Sequence, residues 1–236
     1  MTHDLEGGTQ TAAMILFDPD SLPDDYDERV RGDAAAVVAE AAEAGGLFLL
    51  DVGEPGAYAL RLTVGERLPD DVAPQVRLMG AVERFRVAGG RVFLAGVEYG
   101  FRRDDSQLRK RPDMGSSCAI APGTYRLSIH CLRDPEQYVS DRLRDLSSPA
   151  GLRLDAFMRR WLLPVGSLGT IAAAVGYFTL GWREWRVTIL PVSLAMVLPA
   201  ALLSLTQTYR QAREARRQVA AEYVDFHAVL DPIDTE

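Results

Sequence analysis

The chain has 236 residues, a formal net charge of −7 and two cysteines. An acidic chain without an aromatic-interleaved basic motif argues against nucleic acid as a partner, and two cysteines lacking C-x-x-C spacing make neither a disulfide framework nor a zinc site. Of the 26 basic residues only Lys110 is a lysine, a skew that suggests a GC-rich bacterial genome. The charge is uneven: residues 1–71 carry −12, residues 72–160 carry +6 and residues 161–236 carry −1.

In chain order, MTHDLEGGTQ is polar and acidic, with no basic stretch leading into an apolar one. It does not read as a cleavable signal, and residues 1–13 are expected to be loosely attached. Met14–Phe17 is a short apolar strand. A helix is expected over residues 24–44, with Val30, Ala34, Val37, Val38 and Ala41 as its apolar stripe and Gly45-Gly46 as its stop. From Leu47 the period changes to two. Tyr58, Leu60, Leu62 and Val64 alternate with polar residues, then Val76–Val87 reads as one or two strands and Ala88-Gly89-Gly90 as a hairpin turn. Arg91–Phe101 places Phe93, Ala95, Val97, Tyr99 and Phe101 on one face. Residues 122–129 repeat the pattern of 55–62, P-G-x-Y-x-L-x-[L/I]. That is a turn followed by an alternating strand in which Tyr125, Leu127, Ile129 and Cys131 face inward.

Arg102–Ser117 is a long charged loop. Its Arg102, Arg103, Asp104, Asp105, Arg109, Lys110 and Arg111, with Glu98 before it and His130 beyond it, are the candidate ligand or partner contacts. Catalytic and metal chemistry find little support. His130 and Cys131 are strand neighbours and point to opposite faces, so they make no nucleophile–base pair. The Asp pairs lack the spacing of a Ca²⁺ loop, and no glycine fingerprint for phosphate is present. No cofactor is expected.

Asp134-Pro135-Glu136 opens a helical connector over 134–160, interrupted by SSPAG. Two apolar runs follow, 161–180 and 187–205, each free of charged residues and about 30 Å long as a helix. They read as a transmembrane hairpin. Trp161, Trp182, Trp185 and Tyr209 mark its interfaces, with Arg159 and Arg160 before it and Arg210, Arg213, Arg216 and Arg217 after it. Gly169, Ala173 and Gly176 form a small-residue face for helix packing. Residues 206–236 are expected to continue as a polar helix and an acidic tail.

The fold class expected is α+β. It comprises a β-dominated antiparallel sandwich or barrel-like domain over 14–133, the connector, the hairpin over 161–205 and the C-terminal helix. The basic flanks put both termini inside a bacterial inner membrane. The leading functional expectation is a membrane-held binding domain of the sensor, regulator or toxin-immunity kind. A hydrolase or transferase acting through Glu98 and His130 is the alternative, and a hairpin-mediated oligomer a third. The partners expected are the lipid bilayer, a protein, or a second copy bound through the hairpin.

Overall fold

The computed structural model describes residues 1–179 and 189–233. The chain is mixed α+β and divides into two units. One comprises Met1–Asp134 with Val224 onward, and the other Pro135–Tyr223.

The first unit holds two sheets. Strands β1 (Thr2–Thr9), β4 (Gly56–Val64), β9 (Phe226–Pro232), β8 (Gly123–Leu132) and β5 (Val76–Val87) form a five-stranded sheet in that spatial order. Strands β3 (Leu47–Asp51), β2 (Ala13–Phe17), β6 (Arg91–Gly96) and β7 (Gly115–Ala119) form a four-stranded one. All pairings are antiparallel except β4 with β9. Period-two patterning explains the shared core: Leu60, Leu62, Leu127, Ile129, Ala228 and Leu230 of the larger sheet bury against Met14, Leu16, Leu50 and Leu94 of the smaller. The other face of the smaller sheet is buried too. Ile15, Phe17, Leu47 and Ala95 pack under Tyr26 of α1 (Tyr26–Arg29) and Val37, Val38 and Ala41 of α2 (Ala34–Glu43).

Three expectations need correction here. The helix over 24–44 is two helices, because Asp33 leaves helical geometry and caps α2 by accepting from the Ala36 N–H at 3.1 Å. The N-terminal residues are not loosely attached: all eight residues of β1 pair with β4. Only Leu5 of this strand is a large apolar core residue, so its periodicity is faint. Gly7 lets it run close over the smaller sheet, where a Cβ would stand 2.9 Å from the Leu94 carbonyl oxygen. The acidic tail is likewise an interior strand, β9, with Phe226, Ala228 and Leu230 in the core.

The repeated P-G-x-Y pattern has one structural role in both copies. The Tyr58 hydroxyl donates to the Glu54 carbonyl and the Tyr125 hydroxyl to the Ala121 carbonyl, each at 2.7 Å. Each tyrosine thereby locks the turn that precedes its own strand.

The second unit is helical. Helix α4 (Pro135–Leu146) ends before Ser148, which caps α5 (Pro149–Phe157). Helix α5 continues through a π-turn at Met158–Leu162 into α6 (Leu163–Thr179), where the Leu163 N–H donates to the Met158 carbonyl. Pro164 lies at the start of α6 and supplies no N–H, a setting in which the wider turn is favourable. The connector and the first apolar run are therefore one helix over Pro149–Phe178, long and apolar enough to cross a membrane. Helix α7 (Leu190–Ser204) packs on α6, and α8 (Gln207–Glu222) follows at a bend of 74°. The residues between the two apolar helices, with Trp182 and Trp185, lie outside the described residues.

Candidate functional site

The charged segment after β6 is built onto α1. The Asp27 carboxylate accepts from the backbone N–H groups of Arg102, Arg103 and Asp104 at 2.6, 2.8 and 2.9 Å. Burial pushes its pKa up, but the three donors outweigh this and hold it below the usual carboxylate value. The Arg102 guanidinium is half-buried and donates to the carbonyls of Pro19 and Leu22 and to Asp24. Arg103 lies 3.5 Å from Asp24, Asp104 pairs with Arg31, and Asp105 with Arg109. A short helix, α3 (Ser106–Lys110), occupies the middle of what the sequence suggests is an open loop. Arg109 and Lys110 are exposed on it, and Arg103 before it and Arg111 after it are exposed too.

Glu98 does not belong to this cluster. Its carboxylate accepts from the Gln10 N–H at 2.6 Å, from the Thr11 hydroxyl at 2.9 Å and from the Thr9 hydroxyl at 3.2 Å, which fastens the β1–β2 turn. His130 lies on the five-stranded sheet, on the face opposite Ile129 and Leu127, with Ser128 Oγ 3.3 Å from its Nε2. Glu98 follows β6 of the other sheet. The two side chains do not converge, so the pair that a hydrolase or transferase would use is not formed. Cys131 turns to the core side and accepts from Arg77 Nε at 3.3 Å.

His130 does belong to a polar row that the sequence reading missed. Asp4, Arg61, His227 and His130 are successive cross-strand partners along β1, β4, β9 and β8. Arg61 holds Asp4 by a 2.7 Å ion pair, which lowers the Asp4 pKa. His227 is only 6% exposed. Burial, with the positive charge of Arg61 and the neighbouring His130, pushes its pKa down to about 4. Burial lowers His130 as well. The signal was present in the sequence: Phe226, Ala228 and Leu230 alternate with His227, Val229 and Asp231.

In the helical unit Gly169 packs closely on α7. Gly166, Gly169 and Gly176 are buried along α6, with Ala173 half-buried between them. A Cβ on Gly169 would stand 2.8 Å from Met196 Cβ and 3.1 Å from the Ser193 carbonyl oxygen of α7. The outward faces of both helices are apolar and bare. Leu168, Ile171, Val175, Val192, Leu194, Leu198 and Leu202 are exposed, and Phe178 is 84% exposed. The hydroxyls of Ser167, Thr170 and Ser204 donate to carbonyls of their own helices.

Charge gathers at one end of the pair. Arg160 lies over the Trp161 ring at 5.9 Å, and Trp161 is exposed. Asp155, 1% exposed, accepts from Arg216 Nη2 at 2.8 Å and Arg159 Nε at 3.3 Å, tying α5 to α8. Tyr209, expected as an interfacial ring, is instead buried with Met158 and Ala200, because Thr206 caps α8 and turns its first residues back onto α5 and α7. Among the described residues no group of three or more His, Cys, Asp or Glu is placed to hold a metal ion.

No family model matches the chain, and no curated protein matches it. A solved structure titled "Crocagin biosynthetic gene J" is similar over 58% of this chain and 79% of its own, at 16% identity and a TM-score of 0.38. A likeness of that size carries no argument about function.

Proposed function

We propose that this protein is a membrane-anchored binding module. In this reading α6 and α7 sit in a bilayer as a helical hairpin, and the two-sheet unit, taken as a β-sandwich, presents a recognition segment at the surface. The observation that carries it is the bare apolar exterior of α6 and α7. A soluble protein seldom leaves so large a contiguous apolar surface uncovered, whereas lipid is its natural solvent.

Topology supports two crossings. The helical unit is an insertion between β8 and β9, which are hydrogen-bonded neighbours. A chain that leaves and re-enters the same sheet has both ends of its insertion on one side of a membrane, so any crossing must be paired. One helix qualifies by length and composition, and Leu190–Ser204 supplies the apolar return. Arg159, Arg160, Arg210 and Arg213 all adjoin the same ends of the two runs, which favours both termini on the cytoplasmic side of a bacterial inner membrane.

For recognition, the segment over 102–111 is the best-supported surface. Asp27 holds its backbone, while Arg103, Arg109, Lys110 and Arg111 remain exposed, a rigidly mounted basic patch suited to an acidic protein partner. The test is crosslinked purification of the full chain from its membranes, beside a variant carrying Arg109→Glu, Lys110→Glu and Arg111→Glu. Loss of a specific partner in the variant supports the reading. An unchanged set of partners removes the patch from it.

A further inference from the structure

The bend between α7 and α8 leaves a groove of about 690 Å³ beside the base of α6, lined entirely by residues of the helical unit. Its lining is graded. Arg159 and Arg213 carry charge at one end, while Leu163, Gly166, Val197 and Ala201 run up the other beside Ser167 and Thr170, whose hydroxyls are turned to carbonyls of α6. From Met158 to Thr170 the groove follows the π-turn and the first turns of α6 for roughly 18 Å, longer than a small polar ligand needs. Among the described residues no acidic one lines it. Arg213 has no ion-pair partner among the described residues, and Arg159 is oriented by its Nε contact to Asp155 at 3.3 Å.

We infer that this groove is a binding site for one anionic phospholipid, with its phosphate on Arg159 and Arg213 and an acyl chain along Leu163, Gly166 and Val197. Charge complementarity selects the occupant: two guanidinium groups meet a phosphodiester, and the polarity falls along the helix axis as it does along a lipid. Gly166 makes the room. A Cβ there would be in ordinary van der Waals contact with the Met196 carbonyl oxygen at 3.9 Å, so this position is less tightly closed than Gly169, where a Cβ would stand 2.8 Å from Met196 Cβ. Arg213 sits on the face of α8 that the 74° bend carries beside α6, which brings a cation to the level where α6 begins. The inference rests on the membrane reading above.

The test uses the full chain in nanodiscs of equal parts phosphatidylglycerol and phosphatidylcholine. Retained lipid is read by native mass spectrometry after release. The wild-type chain should keep one phosphatidylglycerol in preference to phosphatidylcholine. Arg213→Gln should reduce that adduct about tenfold, the loss of one charged hydrogen bond. Gly166→Leu, which changes no charge but fills the slot, should reduce it comparably. Four results overturn the inference. They are equal retention of the two lipids, indifference to both variants, loss with Arg213→Gln alone (attraction to charge without a groove), and displacement of the adduct by soluble glycerol phosphate. An alkaline carbonate wash of vesicles separates the two claims. A chain that washes off defeats the membrane reading and this site together, whereas a chain that stays but shows no lipid preference defeats only the site.

Discussion

Cys131 on β8 pairs with Phe226 on β9, although the whole helical unit lies between them in the chain. The sheet therefore treats residues 135–223 as an insertion at a β-hairpin. Replacing them with a short Gly-Asn turn should leave a folded, water-soluble unit with the same sheet content. Circular dichroism and the supernatant fraction after ultracentrifugation check this. Aggregation of the shortened chain, with loss of sheet signal, would mean that the insertion is needed for the core.

Histidine burial makes the first unit sensitive to acid. The His227 pKa falls from 6.5 to about 4 on folding, so between those values the unfolded chain binds more protons than the folded one. Stability is accordingly full above about pH 6.5 and declines as pH falls toward 4. Urea midpoints across that window should drop for the wild type. They should drop less for His227→Gln, which keeps a polar head beside Arg61 and His130 but cannot take up the proton.

Asp27 is the fastening of the charged segment. Asp27→Ala leaves three backbone donors at residues 102–104 without their acceptor and should cost about 2–3 kcal/mol. Limited trypsin digestion reads the local effect, with faster cleavage after Arg103, Arg109, Lys110 or Arg111. Because the Asp27 pKa is lowered on folding, its contribution is present at neutral pH and is lost as pH falls through the carboxylate range.

Helix packing is set at Gly169. Gly169→Leu drives a side chain into Met196 and Ser193 and should lower the stability of the detergent-solubilised protein by about 1–3 kcal/mol. Leu168→Ile, on the exposed face, should change little. A thermal melt followed at the helical band compares them.

The parts of the fold with strong apolar rhythm were legible in the sequence. Phe93, Ala95, Val97, Tyr99 and Phe101 share a core cluster, although not as one strand over 91–101: β6 ends at Gly96 and Val97–Tyr99 is a 3-10 turn; Cys131 and His130 do face opposite ways. The two ends of the chain were not legible, for a physical reason. Strand β1 is held by its backbone ladder and the Asp4–Arg61 pair, with little apolar signal, and β9 gains its partners only after the chain has passed through the helical unit. Of the candidate site, the charged segment was visible as composition. Its anchoring was not, because Asp27 lies on a helix far earlier in the sequence. Glu98 owes its place to Gly96, where a Cβ would lie 2.8 Å from the Glu98 carboxylate and 2.7 Å from the Gly8 carbonyl oxygen.

The most direct measurement of the central claim is sided labelling of single cysteines in sealed vesicles. Cys118 and Cys131 are replaced by serine, and one cysteine is placed at Glu66, Glu184 or Glu214 in turn. A membrane-impermeant maleimide should label Glu66→Cys and Glu214→Cys from the same side and Glu184→Cys only from the other. Labelling of all three from one side would contradict a two-crossing anchor.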